Sequence, residues 1–400
     1  MIRLFSHNFQ VNALLLAALN AACLGLLALF VLHLFYPAMV AALLDSVSGA
    51  VAIALAMFVL LARFSFTYTT STILAQRVLV LGVGHDAAMV KEALDKCGIR
   101  GLQVVGFYSA DADQPVDAAL PASMILPPSK SITAIARQQN VSEIIIATHD
   151  RRGGALPLTD LLNAKLEGVK VTDLSSFFER YQGKVKIDLL RESWFIFGNG
   201  FRQHRLRMFI KRTFDLVASI VLLVVGLPVM LLAALAIKLE GAGPVIYRQQ
   251  RVGLGGKPFD VLKFRSMRTD AEKDGKPQWA QAHDARVTRV GRFMRLTRVD
   301  ELPQLFNVLA GQMSLVGPRP ERPYFVDQLV GQIPFYGARL SVKPGVTGWA
   351  QVRHHYGASV GDASDKLQYD LYYVKNHTLF LDLLILLYSV PVVLFAEGSR

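Results

Sequence analysis

Cysteine is scarce in this sequence, with Cys23 and Cys97 the only two in 400 residues. Two cysteines do not build a disulfide scaffold, and neither has a neighbour at a spacing typical of a metal site, so we expect both to be free thiols. Charged residues are also few, at 18%, whereas hydrophobic residues make up 52%. This composition excludes an ordinary soluble protein and predicts a membrane protein with two globular parts.

Acidic residues are outnumbered, with 31 Asp and Glu against 43 Lys and Arg, which gives a net charge of +12. Such an excess of positive charge favours anionic partners, whether nucleic acid, lipid headgroups or a phosphorylated substrate. Charge alone does not choose between these three.

Two apolar runs near the N-terminus predict a transmembrane hairpin within residues 1–66. The runs extend from Val11 to Tyr36 and from Ser46 to Phe64. The first is longer than the apolar core of a secretory signal, which is about 7 to 15 residues. Basic residues flank the pair and the short connection has none, so we expect both ends to face the cytoplasm.

Short apolar runs alternate with helical stretches over residues 77–198. This alternation predicts a Rossmann-like α/β domain with a doubly wound parallel sheet. The predicted strands are Val78–Leu81, Gln103–Tyr108, Glu143–Thr148 and Val169–Leu174.

The turn Gly82-Val83-Gly84 follows the first of these strands and opens a helix, as a dinucleotide-binding fingerprint requires. Gly82 and Gly84 are therefore candidate cofactor-binding residues. No acidic residue follows the second strand to hold a ribose, since Tyr108 and Ser109 occupy that place. A structural or regulatory domain, nucleotide or sugar-nucleotide binding, and NAD chemistry all remain open.

A charge-free run from Leu216 to Ile237 would be about 33 Å long as a straight helix, enough for a third transmembrane span. Basic clusters stand on both sides of it, however, and a crossing would place one of them outside the cell. Pro228 near its middle is expected to break the helix into two arms. These observations favour a re-entrant helix over residues 213–239 that enters and leaves on the cytoplasmic side.

Two basic segments are candidates for binding phosphate. Lys263 and Arg265 alternate with apolar residues and would point to one side of an extended segment. Arginine then recurs at every third position, which on a helix would form a ribbon of guanidinium groups. A solvated strand face and a solvated helix face are the alternatives. The arginines are Arg286, Arg289, Arg292, Arg295 and Arg298.

Asp300 and Glu301 follow this row, and Pro303 suits the first turn of a new helix. Helix capping is one reading of the pair. In the functional reading Asp300 is a nucleophile, because an aspartate with an ordinary pKa of about 4 is ionised at neutral pH and needs no general base. Lys263, Arg265, Arg319 and a Mg²⁺ ion held by the acidic pair would offset the charge of a diphosphate.

Two further loops carry candidate binding residues. Gly317-Pro318-Arg319-Pro320-Glu321 is a rigid turn that would fix one guanidinium, and 343–351 is a glycine-containing loop suited to closing over a nucleotide or sugar. With the acidic segment they give the candidate substrate-binding set, namely Lys263, Arg265, Arg298, Gln304, Arg319, Glu321, Lys343, Thr347 and Gln351. His354 and His355 lack a plausible set of further metal ligands.

These motifs together resemble those of a bacterial sugar transferase, a polyprenyl-phosphate phosphoglycosyl transferase of the large monotopic, exopolysaccharide-initiating type. The resemblance covers residues 77–400 and is specific from Lys211 onward. It is carried by four ordered motifs, which are 263–267 (KFRSM), 300–305 (DELPQL), 314–320 (SLVGPRP) and 343–349 (KPGVTGW).

The resemblance implies a membrane α+β protein with a catalytic domain over residues 207–400. Asp300 would form a covalent phosphosugar intermediate from a UDP-sugar and release UMP, and undecaprenyl phosphate would then accept the sugar phosphate. Glu301 would assist through Mg²⁺. The enzyme would lie in the bacterial inner membrane with its catalytic domain on the cytoplasmic face, and its partners would be membrane lipids, a second copy or polysaccharide-assembly proteins, and no nucleic acid.

The sequence also departs from the family, since relatives often carry more N-terminal spans and many have serine where this chain has Leu227. The apolar segment from Leu379 to Phe395 contains Asp382 and Pro391, and it is expected to lie in the membrane interface, with a span as the alternative. Two other functions compete with transfer: a nucleotide-sugar hydrolase, and a scaffold or sensor that binds nucleotide sugars without turnover.

Overall fold

The computed structural model describes residues 2–4, 7–9, 76–97, 102–109, 111, 114–127, 131–148, 156–197, 200–201, 205–269, 284, 286–354 and 359–394. The two spans of the predicted N-terminal hairpin, and Cys23 with them, lie outside these residues. The short strands β1 (Ile2–Leu4) and β2 (His7–Phe9) pair antiparallel before the first span. The chain divides into two compact units, Met1–Gln182 and Gly183–Arg400.

A five-stranded parallel sheet forms the centre of the first unit, so the predicted parallel sheet is confirmed. Its strands are β3 (Gln76–Leu81), β4 (Leu102–Tyr108), β5 (Ile125–Leu126), β6 (Glu143–Ile146) and β7 (Lys170–Asp173). Their spatial order is β5-β4-β3-β6-β7, which is the first five strands of the doubly wound order 3-2-1-4-5-6. The helices of this unit are α1 (His85–Cys97), α2 (Ile132–Gln138), α3 (Leu158–Leu166) and α4 (Leu174–Gln182).

The central strand β3 carries an uninterrupted buried run, Val78 to Leu81, as expected for a strand covered on both faces. Gly82 ends this strand with φ of +133°, and a Cβ there would clash with the carbonyl of Ala147. Only glycine fits this position. A backbone requirement therefore accounts for Gly82, and whether this unit binds a nucleotide stays open.

The second unit combines helices with two small sheets. Its strands are β8 (Ile246–Val252) and β9 (Pro258–Phe264), which form an antiparallel hairpin, and β10 (Ser314–Val316) and β11 (Gly345–Thr347), which pair in parallel. Its helices are α5 (Glu192–Phe197), α6 (Arg205–Glu240), α7 (Arg289–Leu296), α8 (Gln304–Leu309), α9 (Pro323–Gln332), α10 (Trp349–Arg353), α11 (Val360–Asn376) and α12 (Leu379–Leu394).

Three glycines allow the loop after β10 to cross the loop that contains β11. A Cβ at Gly317 would clash with the carbonyl of Lys343, and one at Gly345 or Gly348 would clash with the backbone of Gly317. Gly317 N donates to Thr347 O at 2.9 Å, and Gly345 N donates to Pro318 O at 3.0 Å. The two loops therefore form one closely packed body.

Helix α6 is the one helix in the described part of the chain that is long and apolar enough to cross a membrane by length and composition. One side of it is buried against the second unit, through Asp215, Ser219, Met230, Ala233 and Ile237. The rest of its surface exposes large apolar side chains, a patch of the kind that contacts lipid. These include Val217, Ile220, Val221, Val224, Val225, Leu227, Leu231, Leu232 and Leu235.

Pro228 lies inside α6, which continues on both sides of it. The expected pair of separate arms is therefore not seen as two helices. A proline inside a helix removes one hydrogen bond and crowds the carbonyl four residues before it, and packing of both halves of α6 against the rest of the second unit offsets that cost. Helix α12 likewise buries one side, through Leu381, Asp382 and Ile385.

Candidate active site

Asp300 and Glu301 lie in a 3-10 turn, Val299–Glu301, between α7 and α8. Both residues are buried, with 7% and 9% of their surface exposed. Pro303 directly precedes α8, so the two carboxylates stand just before the N-terminus of that helix. Residues of this charge are seldom buried without partners, so their surroundings decide their chemistry.

Arg298, directly before this turn, adopts a left-handed conformation with φ of 57°. Such a conformation is uncommon for a residue with a Cβ and costs free energy, and it is found disproportionately at functional sites.

Glu301 is held by two cations. Its Oε1 accepts hydrogen bonds from Lys263 Nζ and from Arg319 Nη2, both at 2.9 Å. Burial would raise the pKa of Glu301, but the charges and hydrogen bonds of Arg319 and Lys263 outweigh it and hold this pKa well below its usual range. Glu301 thus favours its ionised form and binds one cation from β9 and one from the Arg319 turn.

Asp300 has a different environment from its neighbour. Its Oδ1 is buried and has no hydrogen-bond partner among the described residues. Burial, and then the negative charge of Glu301, raise the pKa of Asp300 to about 6, although Lys263, Arg295 and Arg298 oppose the shift. The ordinary pKa of about 4 expected from the sequence is therefore wrong, because that expectation took the side chain as solvated.

Lys263 and Arg265 were both predicted to bind substrate, but their side chains contact different groups. Lys263 lies on β9 and reaches Glu301. Arg265 follows the strand, and its guanidinium donates to the carbonyls of Ile237, Gly241 and Ala242 at 3.1, 2.7 and 2.7 Å. These carbonyls close the C-terminal end of α6, where a cation is favoured. The structure therefore places Arg265 at a helix end and Lys263 at the acidic pair.

The row of five arginines does not form one helical ribbon, because α7 covers only residues 289–296. Arg286 precedes the helix and pairs with Asp284 at 2.6 Å. Arg295 Nε donates to Ser266 Oγ at 2.9 Å, and its charge acts on Asp300. Arg289 and Arg292 are exposed.

The Arg319 turn is supported by a buried group that the sequence gave no reason to select. Arg339 Nη2 donates to Arg319 O at 2.9 Å, and Nη1 donates to the Tyr336 hydroxyl at 2.6 Å. Asp370 Oδ2 lies 2.8 Å from Arg339 Nη2, which completes an ion pair inside the unit. Arg339 thus positions Arg319 by binding the backbone carbonyl of Arg319. No local motif in the sequence indicates this contact.

The other predicted binding residues occupy several places. Gln304 is buried in the first turn of α8. Glu321 Oε2 lies 3.6 Å from Arg251 Nη1. Thr347 Oγ1 and Ser389 Oγ are 2.7 Å apart, which joins the loop to α12. Gln351 Nε2 donates to Val346 O at 3.4 Å. Lys343 Nζ lies beside Gly311.

No group of three or more His, Cys, Asp and Glu side chains suited to a metal ion is present among the described residues. The acidic pair alone is compatible with Mg²⁺, which commonly binds one or two carboxylates together with substrate phosphates. The unpartnered Asp300 Oδ1 supports this fit, because a buried carboxylate oxygen needs a proton, a donor or a cation.

A buried acidic pair flanked by cations, on a unit that exposes a long apolar helix, is the arrangement of a membrane-associated enzyme that handles phosphate esters. A model of the bacterial sugar transferase family matches residues 206–396. The chain is 47% identical over 193 residues to a UDP-glucose:undecaprenyl-phosphate glucose-1-phosphate transferase of Caulobacter vibrioides, covering 47% of this chain and 71% of the relative. The chain belongs to the bacterial sugar transferase family.

Two further relatives extend this match. A UDP-N-acetylgalactosamine-undecaprenyl-phosphate N-acetylgalactosaminephosphotransferase of Aeromonas hydrophila is 44% identical over 240 residues, covering 60% of this chain and 56% of the relative, so the matched part spans little over half of that protein. A UDP-glucose:undecaprenyl-phosphate glucose-1-phosphate transferase of Xanthomonas campestris is 31% identical over 397 residues, covering 95% and 80%. The named sugars differ among these relatives.

Proposed function

We propose that this protein transfers a sugar phosphate from a UDP-sugar to undecaprenyl phosphate through a covalent intermediate on Asp300, and so initiates exopolysaccharide synthesis. The observation that carries the proposal is the contrast within the acidic pair. Glu301 is engaged by Lys263 and Arg319, whereas Asp300 keeps a buried oxygen without a partner. Family membership and the names of the relatives support the same reaction class.

In the first step a carboxylate oxygen of Asp300 attacks the phosphorus that carries the sugar. The bond between this phosphorus and the bridging oxygen breaks, and UMP leaves with the electron pair. In the second step a phosphate oxygen of undecaprenyl phosphate attacks the same phosphorus and displaces the Asp300 carboxylate. The products are UMP and a lipid diphosphate sugar, and the enzyme is regenerated.

The cations around Glu301 answer the main electrostatic difficulty of this reaction, which is the approach of one anion to another. Lys263 and Arg319 bring two positive charges to the acidic pair, and Arg295 and Arg298 lie close enough to act on Asp300. Fixed charges in a buried site stabilise developing negative charge strongly because no solvent must reorganise. Mg²⁺ held by Asp300 and Glu301 would neutralise further charge on the donor diphosphate.

The contacts of α6 favour a re-entrant helix over a crossing one. Near its start, Lys211 pairs with Asp382 at 2.7 Å and Asp215 accepts from Ser314 at 2.8 Å. Near its end, Glu240 accepts from Val290 N at 3.0 Å. Both ends are bound to the same compact unit, which a helix with its ends on opposite sides of a membrane would not allow. We place this unit on the cytoplasmic face of the inner membrane, where UDP-sugars occur.

The direct test is incubation of the purified full-length protein with radiolabelled UDP-sugars, including UDP-glucose, UDP-galactose and UDP-N-acetylgalactosamine. We expect label on the protein, and on lipid only when undecaprenyl phosphate is added. Asp300→Asn should remove both signals, while the control Asp327→Asn, which changes an exposed carboxylate on α9, should keep them. Soluble sugar phosphate without protein label would indicate hydrolysis, and binding without turnover would indicate a sensor.

A further inference from the structure

A second group of cations lies at the C-terminal end of α8, around Gly311. The position that a Cβ would occupy at Gly311 is 3.6 Å from Arg212 Nη2 and 3.8 Å from Lys343 Nζ. The two positive nitrogens therefore border one small space and lie close enough for the oxygens of a single phosphate to contact both. Gly311 has φ of +80° and no side chain to fill that space.

The two cations are held there without a neutralising carboxylate of their own. Arg212 is fixed by Val308 O at 2.6 Å and Leu309 O at 2.9 Å. Lys343 Nζ has no hydrogen-bond or ion-pair partner in the part of the chain that the structure describes. Burial lowers the pKa of Lys343, and the charges of Arg212 and Lys211 lower it further, against the opposing charge of Asp215. Binding an anion would relieve this repulsion.

The nearby carboxylates are occupied by other groups. Asp382 pairs with Lys211 at 2.7 Å. Asp215 accepts hydrogen bonds from Ser314 Oγ and Leu315 N at 2.8 and 3.3 Å, and lies 3.8 Å from Lys211 Nζ. The space beside Gly311 is therefore left with an excess of positive charge.

This group is distinct from the acidic pair and includes a residue of the apolar helix α6. The acidic pair precedes the N-terminus of α8, whereas Gly311 follows its C-terminus, and a helix of 6 residues is about 9 Å long. Arg212 stands four residues before the charge-free run of α6, 216–237. Exposed apolar side chains flank it on both sides, with four over 206–210 and a longer group from Val217 onward. Basic side chains at such a boundary meet the phosphates of the bilayer surface.

We propose that Arg212, Lys343 and the Gly311 turn form a binding site for the phosphate of an anionic membrane lipid, separate from the site of sugar-phosphate transfer. The lipid is favoured over free phosphate because Arg212 lies on the apolar helix itself, between exposed apolar side chains on both sides of it. A bound headgroup would hold the second unit at a fixed depth. The proposal depends on membrane association of α6 and does not require the transfer reaction.

The test measures thermal unfolding of the full-length protein in a nonionic detergent as dioleoylphosphatidylglycerol is added. Dioleoylphosphatidylcholine and inorganic phosphate are the comparison ligands. The variants are Lys343→Gln, and Gly311→Asp, which places a carboxylate between the cations at a position where aspartate tolerates positive φ. Lys257→Gln is the matched control, because it removes an exposed lysine from the β8–β9 turn.

We expect phosphatidylglycerol to raise the unfolding midpoint of the wild type and of Lys257→Gln in a saturable way. Lys343→Gln and Gly311→Asp should each need about tenfold more of this lipid, the effect of losing one charge-assisted contact. Equal lipid dependence in all four proteins, or equal stabilisation by phosphatidylcholine, would overturn the proposal. A Lys343-dependent effect of inorganic phosphate that matches phosphatidylglycerol would overturn the assignment to lipid. No donor sugar is present, so these outcomes do not depend on transfer.

Discussion

The rate at which Asp300 becomes labelled by donor should rise with pH through an apparent pKa of about 6. With this pKa the carboxylate is about 10% ionised at pH 5 and about 90% ionised at pH 7. A solvated aspartate would already be about 90% ionised at pH 5. The labelling rate should therefore increase almost tenfold between pH 5 and pH 7, since only the ionised form attacks phosphorus.

Two variants test the cause of the raised Asp300 pKa, and they are expected to move the pH inflection in opposite directions. Glu301→Gln removes the negative charge beside Asp300, so the inflection should move to lower pH. Lys263→Met removes a cation that favours ionised Asp300, so the inflection should move to higher pH. Each displacement should be about one pH unit. The measurement also separates Asp300 from Asp370, whose pKa burial likewise raises to about 6, because Asp370 does not contact Glu301 or Lys263.

The assay is single-turnover labelling of the protein with a radioactive UDP-sugar, stopped by rapid quenching between pH 4.5 and 8. Donor and Mg²⁺ are kept well below saturation, so that the pH dependence reports the free enzyme. Absolute rates in both variants are expected to fall, and only the position of the inflection is compared. A wild-type inflection near pH 4 would show that Asp300 is solvated. Displacement of both variants in the same direction would refute the balance of charges described above.

The remaining predictions concern stability and positioning. Asp300→Asn should unfold at higher temperature than the wild type at pH 7.5. Because the folded-state pKa of Asp300 is raised, the stability that its protonated form gives is lost as pH rises through about 6, a deficit of about 3 kcal/mol. The difference should vanish below about pH 4. Arg265→Ala should lower the unfolding midpoint by leaving carbonyls at the end of α6 without their donor, about 1 to 3 kcal/mol, while labelling per folded molecule persists. Arg339→Gln should slow labelling by releasing the Arg319 backbone without changing the pH inflection, and Arg339→Lys should restore only part of the rate. Lys211→Met should cost about 3 to 5 kcal/mol because its buried carboxylate partners remain, which thermal unfolding in detergent would measure.

Local patterns in the sequence were sufficient for the sheet of the first unit. Buried parallel strands are continuous apolar runs, and each of the four predicted runs coincides with a strand. β6 and β7 fall within the predicted bounds, whereas β3 begins two residues and β4 one residue earlier than predicted. Strand β5 was not predicted because two residues carry no periodicity. The acidic pair was also recognisable, since adjacent charges before Pro303 are a local feature.

Side-chain contacts and pKa shifts that depend on tertiary packing could not be predicted from the sequence. Lys263 and Arg265 look equivalent along the chain, yet β9 ends between them and the two side chains reach different partners. Arg339 and Asp370 meet across the interior, where no spacing rule applies. The pKa of Asp300 depends on burial, which the motif does not encode.

The crossing of the two loops at Gly317 has a mechanical consequence. Arg319 follows this crossing in one loop and Lys343 precedes it in the other, and the contact between their backbones leaves no room for either loop to slide. If Lys343 binds a lipid phosphate as proposed, a displacement of Lys343 would therefore also displace Arg319. The close contact that Gly317, Gly345 and Gly348 allow would therefore help to set the distance between the reacting phosphorus and the lipid headgroups.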